Sequence, residues 1–160
     1  MGFTVYRPDD DSKRHPVDSL VISGQSLRIV MADVKTKPRR TKYPDTGINM
    51  INYGEYQRLQ KINKIPVYII FVDEFSGTIY GNFLDELDER KVIIHEGKKL
   101  VYPLYERSII YFPLISMKQI GRISPEESAK LKALSRSKFI HRKNDVQISL
   151  DLKPNLISIP

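Results

Sequence analysis

Two aspartates and a lysine form the most chemically suggestive group in this chain. Asp33 and Lys35 close the triplet Asp33-Val34-Lys35 at the end of the β-prone run Ser26 to Lys35, and Asp18 lies in the preceding run, Val17 to Ser23. Residues i and i+2 of a strand share a face, so Asp33 and Lys35 project together while Val34 projects the other way. Gly24-Gln25 joins the runs and predicts a tight turn, hence a β-hairpin. Folding at that turn sets residue 18 beside residues 31–33 on the neighbouring strand. Two carboxylates and an ammonium then converge at one edge of a sheet. Close carboxylates repel each other unless a cation lies between them, and hard oxygen donors select Mg²⁺ or Mn²⁺. Such an ion lowers the pKa of a bound water and neutralises charge building on a phosphate. A lysine alongside can hold that water or touch a phosphate oxygen. The chemistry expected of this group is metal-dependent hydrolysis.

The elements that position the group can be read around it. Phe3 to Tyr6 reads as a short strand, followed by a polar loop over 8–16 containing Asp9-Asp10-Asp11. After the hairpin, residues 36–50 read as a loop rich in basic side chains, Lys37, Arg39, Arg40 and Lys42, suited to gripping phosphates. Residues 51–64 read as an amphipathic helix, with Ile48, Ile51, Leu59 and Ile62 near helical spacing and Gln57 and Lys61 four apart on one side. Pro66 ends it, and the continuous apolar run Val67 to Val72 predicts a central strand covered on both faces. Helix then buried strand is the second half of a β-α-β crossover.

Further on, Thr78 to Tyr80 predicts a strand and Asn82 to Arg90 a short acidic helix capped by Asn82. Lys91 to Ile94 and Leu100 to Tyr102 predict a hairpin. Ile109 to Ile115 predicts a strand that Pro113 places at an edge. Ser124-Pro125-Glu126-Glu127 opens a helix expected to run to about Ser135, with serine as cap, proline first and glutamate third. The organisation expected is one domain over residues 1–136, then a basic, loosely apolar extension over 137–160.

Composition narrows the classes. The 160 residues contain no cysteine, which excludes a disulfide scaffold, a zinc-thiolate site, an iron–sulfur cluster and a cysteine nucleophile. Apolar residues at 41% and charged ones at 28% describe a globular protein. The longest apolar run, Ile65 to Val72, falls far short of the ~20 residues of a membrane helix. No secretory signal is visible at the start, so a cytoplasmic protein without a membrane partner is expected. The net charge is +7, with 12 basic against 7 acidic residues in 1–64 and 7 against 4 in 126–160. Such an excess suits a polyanionic partner, nucleic acid first. Neither a glycine-rich phosphate loop nor a serine nucleophile elbow is present.

The order Pro16-Val17-Asp18, hairpin, Asp33-Val34-Lys35, basic loop, helix and apolar strand resembles the PD-(D/E)xK nuclease superfamily, the restriction-endonuclease-like fold. The resemblance covers residues 1–72. It implies an α/β fold, a mixed central β-sheet flanked by helices, here carrying a C-terminal strand and helix extension. It also implies a Mg²⁺- or Mn²⁺-dependent phosphodiesterase acting on DNA. Carried onto this sequence, Asp18 and Asp33 become metal ligands with the Val34 carbonyl completing the shell, and Lys35 positions the water. Gln57 becomes an additional site residue, and Lys37, Arg39, Arg40, Lys42 and Lys61 contact DNA. A homodimer is compatible with this reading. The alternative is a catalytically inactive nucleic-acid-binding or protein-interaction module on the same fold.

Overall fold

A computed structural model describes residues 3–6, 17–23, 28–37 and 40–140. Its elements in chain order are β1 (Phe3–Tyr6), β2 (Ser19–Ser23), β3 (Ile29–Lys37), β4 (Asp45–Asn49), α1 (Met50–Asn63), β5 (Val67–Asp73), β6 (Thr78–Phe83), α2 (Leu84–Asp88), β7 (Lys91–His95), β8 (Lys98–Tyr102), β9 (Leu104–Glu106), β10 (Ile109–Pro113), β11 (Lys118–Arg122) and α3 (Pro125–Ile140). Residues 38, 39 and 141–160, and with them most of the expected C-terminal extension, lie outside the described residues.

The main sheet has six strands in the order β1-β2-β3-β5-β6-β11. Only β3 and β5 run parallel; their neighbours are antiparallel, so the sheet is mixed. The expected hairpin forms as β2 and β3, with Ser19 opposite Ala32 and Ile22 opposite Ile29. The connection from β3 through β4 and α1 to β5 is the expected crossover.

Every residue of β5 is buried because both faces of the sheet are covered. Val67, Ile69 and Phe71 face one core with Met31, Ile48, Tyr56, Leu84, Leu87, Ile110 and Phe112. Tyr68, Ile70 and Val72 face the other, with Ile79, Ile123 and Leu131 of α3. The period-2 alternation thus feeds two cores from one strand. The mixed sheet flanked by helices matches the architecture expected from the sequence.

Several local expectations are corrected. Residues 36–50 are not a continuous loop: β3 runs to Lys37, and β4 pairs antiparallel with β10, Asp45 opposite Pro113 and Gly47 opposite Tyr111. Gly47 permits that pairing, since a Cβ there would stand 2.6 Å from the Ile110 carbonyl oxygen. Strand β10 is not an edge but the middle of the sheet β4-β10-β9. Pro113 is tolerated because it is the last residue of the strand, beyond the reach of β9, which pairs with Ile109 to Tyr111. Asn82 does not cap α2. Phe83 holds that position, and the Asn82 side chain instead donates to the Ser116 carbonyl (2.6 Å). The capping box on α3 forms as expected: the Glu127 N–H donates to Ser124 Oγ (3.2 Å) and the Ser124 N–H donates to Glu127 Oε2 (3.0 Å). The helix then runs to Ile140, beyond the expected end near Ser135.

Helix α1 presents a different face from the one its isoleucines suggested. Ile51 and Ile62 are 72% and 62% exposed, while Tyr56 is buried. Polar anchors decide the orientation. Gln60 accepts from the Val67 N–H (2.8 Å) and donates to Asp85 (2.6 Å). Tyr53 donates to Asp88 (2.9 Å). Asn49 caps the helix by accepting from the Ile51 N–H (2.8 Å). Among the described residues no helix is long and apolar enough to cross a membrane.

Candidate functional site

The site grows from the place where β2 stops and β3 continues. Their last paired residues are Ser19 and Ala32, so among the described residues β3 has no strand beside it on that edge from Asp33 onward. Asp18, just before β2, fills the gap: its Oδ2 accepts the Val34 N–H at 2.7 Å. The N–H and C=O of a strand residue leave by the same edge. The Met31 N–H donates to Pro66 on the β5 side (2.9 Å). By alternation the Val34 N–H and C=O both leave on the Asp18 side.

Asp33 and Lys35 share the face beneath α1. The Lys35 Nζ lies 2.7 Å from Asp33 Oδ2. That oxygen is buried, with the Lys35 ammonium as its ion-pair partner. The Asp33 side chain is almost fully buried, and burial pushes its carboxyl up to about 6 from an ordinary 3.8. The Asp18 charge pushes in the same direction, while Lys35 and a hydrogen bond from Tyr56 oppose it. A buried carboxylate beside a second carboxylate and a strand carbonyl is a hard-oxygen donor set that suits a divalent cation. Among the described residues no group of three or more His, Asp or Glu gathers, so two carboxylates are what the chain offers here.

The structure brings Asp18, Asp33, Val34 and Lys35 together and distributes the other expected residues. Lys37 continues the Asp33–Lys35 face to the end of β3, half-buried, its pKa lowered by burial and then by Lys35. Arg40 is committed elsewhere: it forms a two-pronged pair with the fully buried Asp45 (2.7 and 2.5 Å), reaches Glu106 (2.6 Å) and stacks over Tyr111 (3.8 Å). Asp45 also accepts from the Tyr102 hydroxyl (2.7 Å). Lys42 is exposed, and its carbonyl contacts His95 Nε2 (3.1 Å). Lys61 is exposed in the last turn of α1. Arg39 lies outside the described residues.

Gln57 points to the junction of α1 and α2, donating to Tyr53 (2.6 Å) and Asp88 (3.2 Å). The α1 side chain that reaches the site is its neighbour Tyr56. It is 1% exposed, donates to Asp33, and its ring centroid lies 5.7 Å from Lys35 Nζ. Tyr56 is not among the site residues expected from the sequence. The helical phase set by Tyr53, Tyr56 and Gln60 was the available signal.

Among solved structures the chain is similar to Hjc, a Holliday junction resolvase from the archaeal hyperthermophile Archaeoglobus fulgidus. Identity is 13% and the TM-score 0.39, over 62% of this chain and 74% of that one. No family model matches the chain, and no curated protein matches it.

Proposed function

We propose that the chain is a divalent-metal-dependent nuclease acting on DNA. The observation that carries this reading is the convergence at one open strand edge of Asp18, the buried Asp33, the Val34 backbone and Lys35. Asp18, Asp33 and the Val34 carbonyl would hold Mg²⁺ or Mn²⁺, which supplies an activated water and charge neutralisation at phosphorus. Lys35 holds its ammonium beside Asp33, where it can orient a water or meet a phosphate oxygen. Tyr56 fixes the Asp33 carboxyl from the α1 side. The sheet on one side and α1 on the other exclude bulk water from Asp33, which strengthens each of these electrostatic contacts. Lys37 extends positive charge from Lys35 along β3, and the net charge of +7 favours a polyanionic substrate. Lys42 and Lys61 are exposed and free to meet phosphates at the protein surface.

The test is cleavage of supercoiled plasmid, linear single- and double-stranded DNA and a four-way junction, with Mg²⁺, Mn²⁺ and EDTA arms. Cleavage should require metal and vanish in Asp33→Ala, which should still bind DNA. Equal cutting by Asp33→Ala and the parent would falsify the assignment. Salt-sensitive binding without any cutting would select the inactive nucleic-acid-binding module instead.

A further inference from the structure

The outer face of α1 carries a self-complementary seam. Ile51, Glu55, Arg58 and Ile62 are spaced four, three and four residues apart. At ~100° per residue they fall within about 60° of one another on the helix, opposite the buried Tyr56 and Gln60. The spacing is that of alternating a and d positions of a coiled coil. Ile51 and Ile62 are 72% and 62% exposed, and the described chain offers nothing to cover them. Glu55 and Arg58 between them are also solvent-accessible, paired only with each other at 2.9 Å. Gly54 stands beside the seam with no atom within 4 Å of where a Cβ would lie, so a second backbone can come close.

The order of these four residues reads the same in both directions in chemical type: apolar, charged, charged, apolar. The two charges are opposite. We propose that α1 is the contact by which two copies of this chain associate, helix against helix, antiparallel about a two-fold axis. In that arrangement Ile51 meets the partner's Ile62 at both ends of the seam, and Glu55 meets the partner's Arg58 twice near the axis. Parallel pairing would instead set Glu55 against Glu55 and Arg58 against Arg58, so the charges select the antiparallel form. A two-fold contact of this kind is closed and limits assembly to the dimer. One helix pair is a small interface, below the ~1,200 Å² of stable complexes, so the association is weak and reversible. The contact is independent of the nuclease reading, because it uses the face of α1 that points away from Asp33.

Sedimentation equilibrium of the full chain across the micromolar range tests this, with circular dichroism confirming the fold of each variant. The wild type should show a reversible monomer–dimer equilibrium. Ile62→Glu should weaken it, as should Glu55→Arg alone and Arg58→Glu alone, each by about tenfold or more, since like charges then face each other near the axis. The double variant Glu55→Arg/Arg58→Glu restores opposite charges across the seam and should return association to within about threefold of wild type. A wild type that stays monomeric throughout overturns the proposal. So does a dimer indifferent to these substitutions, or a folded double variant that remains as weak as the single ones.

Discussion

Replacing Asp33 by asparagine should stabilise the metal-free protein above neutral pH while destroying the candidate site. Burial raises the Asp33 carboxyl from 3.8 in the unfolded chain to about 6 in the folded one. Between those values the folded state holds a proton that the unfolded state has released. Stability therefore falls as pH rises through that window, and the full cost is present above it. Two units at ~1.36 kcal/mol each set the penalty of the ionised form near 3 kcal/mol. Asparagine resembles the neutral acid in shape and removes that charge, but its amide has its own unmet hydrogen bonds, so a gain of about 1–3 kcal/mol is expected at pH 8. Lys35, whose side chain is only 20% exposed, loses its partner, and this keeps the gain below the full penalty. Urea unfolding of both proteins in EDTA, at pH values from 4 to 8, checks this: the gap should be small at pH 4 and reach its plateau above about pH 7. Adding Mg²⁺ or Mn²⁺ should then stabilise the wild type and leave the asparagine variant unmoved. A variant no more stable than wild type at pH 8, or a gap of equal size at pH 4, refutes the reasoning that Asp33 is held ionised against its surroundings for the sake of the site.

Tyr56→Phe keeps the ring beside Lys35 and removes only the hydroxyl that bonds Asp33. Mn²⁺ affinity measured by calorimetry should fall about tenfold or more, with the fold retained, as for other groups that orient a metal ligand. Arg40→Ala leaves the fully buried Asp45 with the Tyr102 hydroxyl but without its guanidinium. Urea unfolding should show a loss of about 3–5 kcal/mol, largely recovered in the double variant Arg40→Met/Asp45→Leu.

What the sequence displayed and what it concealed divide along the range of the interactions involved. The β2–β3 hairpin, α1, β5 and the capping box of α3 follow from turn chemistry, apolar runs and caps that lie within a few residues of the elements they define. Asp18 and Asp33 were legible for the same reason, since both flank the paired ends of two strands that follow each other in the chain. Strand β4 was not. Its segment contains Pro44, Asp45, Thr46 and Gly47, a composition of turns, and it becomes a strand only because β10 pairs with it from sixty residues downstream. Asp45 can enter the interior there only because Arg40 and Tyr102 meet its carboxylate. The nearby Arg40 and the distant Tyr102 and β10 thus convert what looks like a basic loop into a fixed strand. The arginine that reads as a phosphate contact serves as its neutralising partner.

The same reasoning explains why α1 turned out to be read by its wrong side. Helical spacing of the apolar residues points Ile51 and Ile62 inward. Yet the floor beneath α1 is not uniformly apolar: Asp33 and Lys35 stand in it, and a buried carboxylate demands a donor. A tyrosine satisfies that demand and still fills the apolar space around it with its ring. Gln60, with its bonds to the Val67 N–H and Asp85, locks the same phase. The polar floor therefore selects the helix face, and the isoleucines are left outside as a consequence. A helix whose inner face is chosen by a buried carboxylate leaves its outer face, Ile51 and Ile62 with Glu55 and Arg58 between them, for a second contact. In this chain the first holds Asp33, and the second remains open to another copy of the molecule.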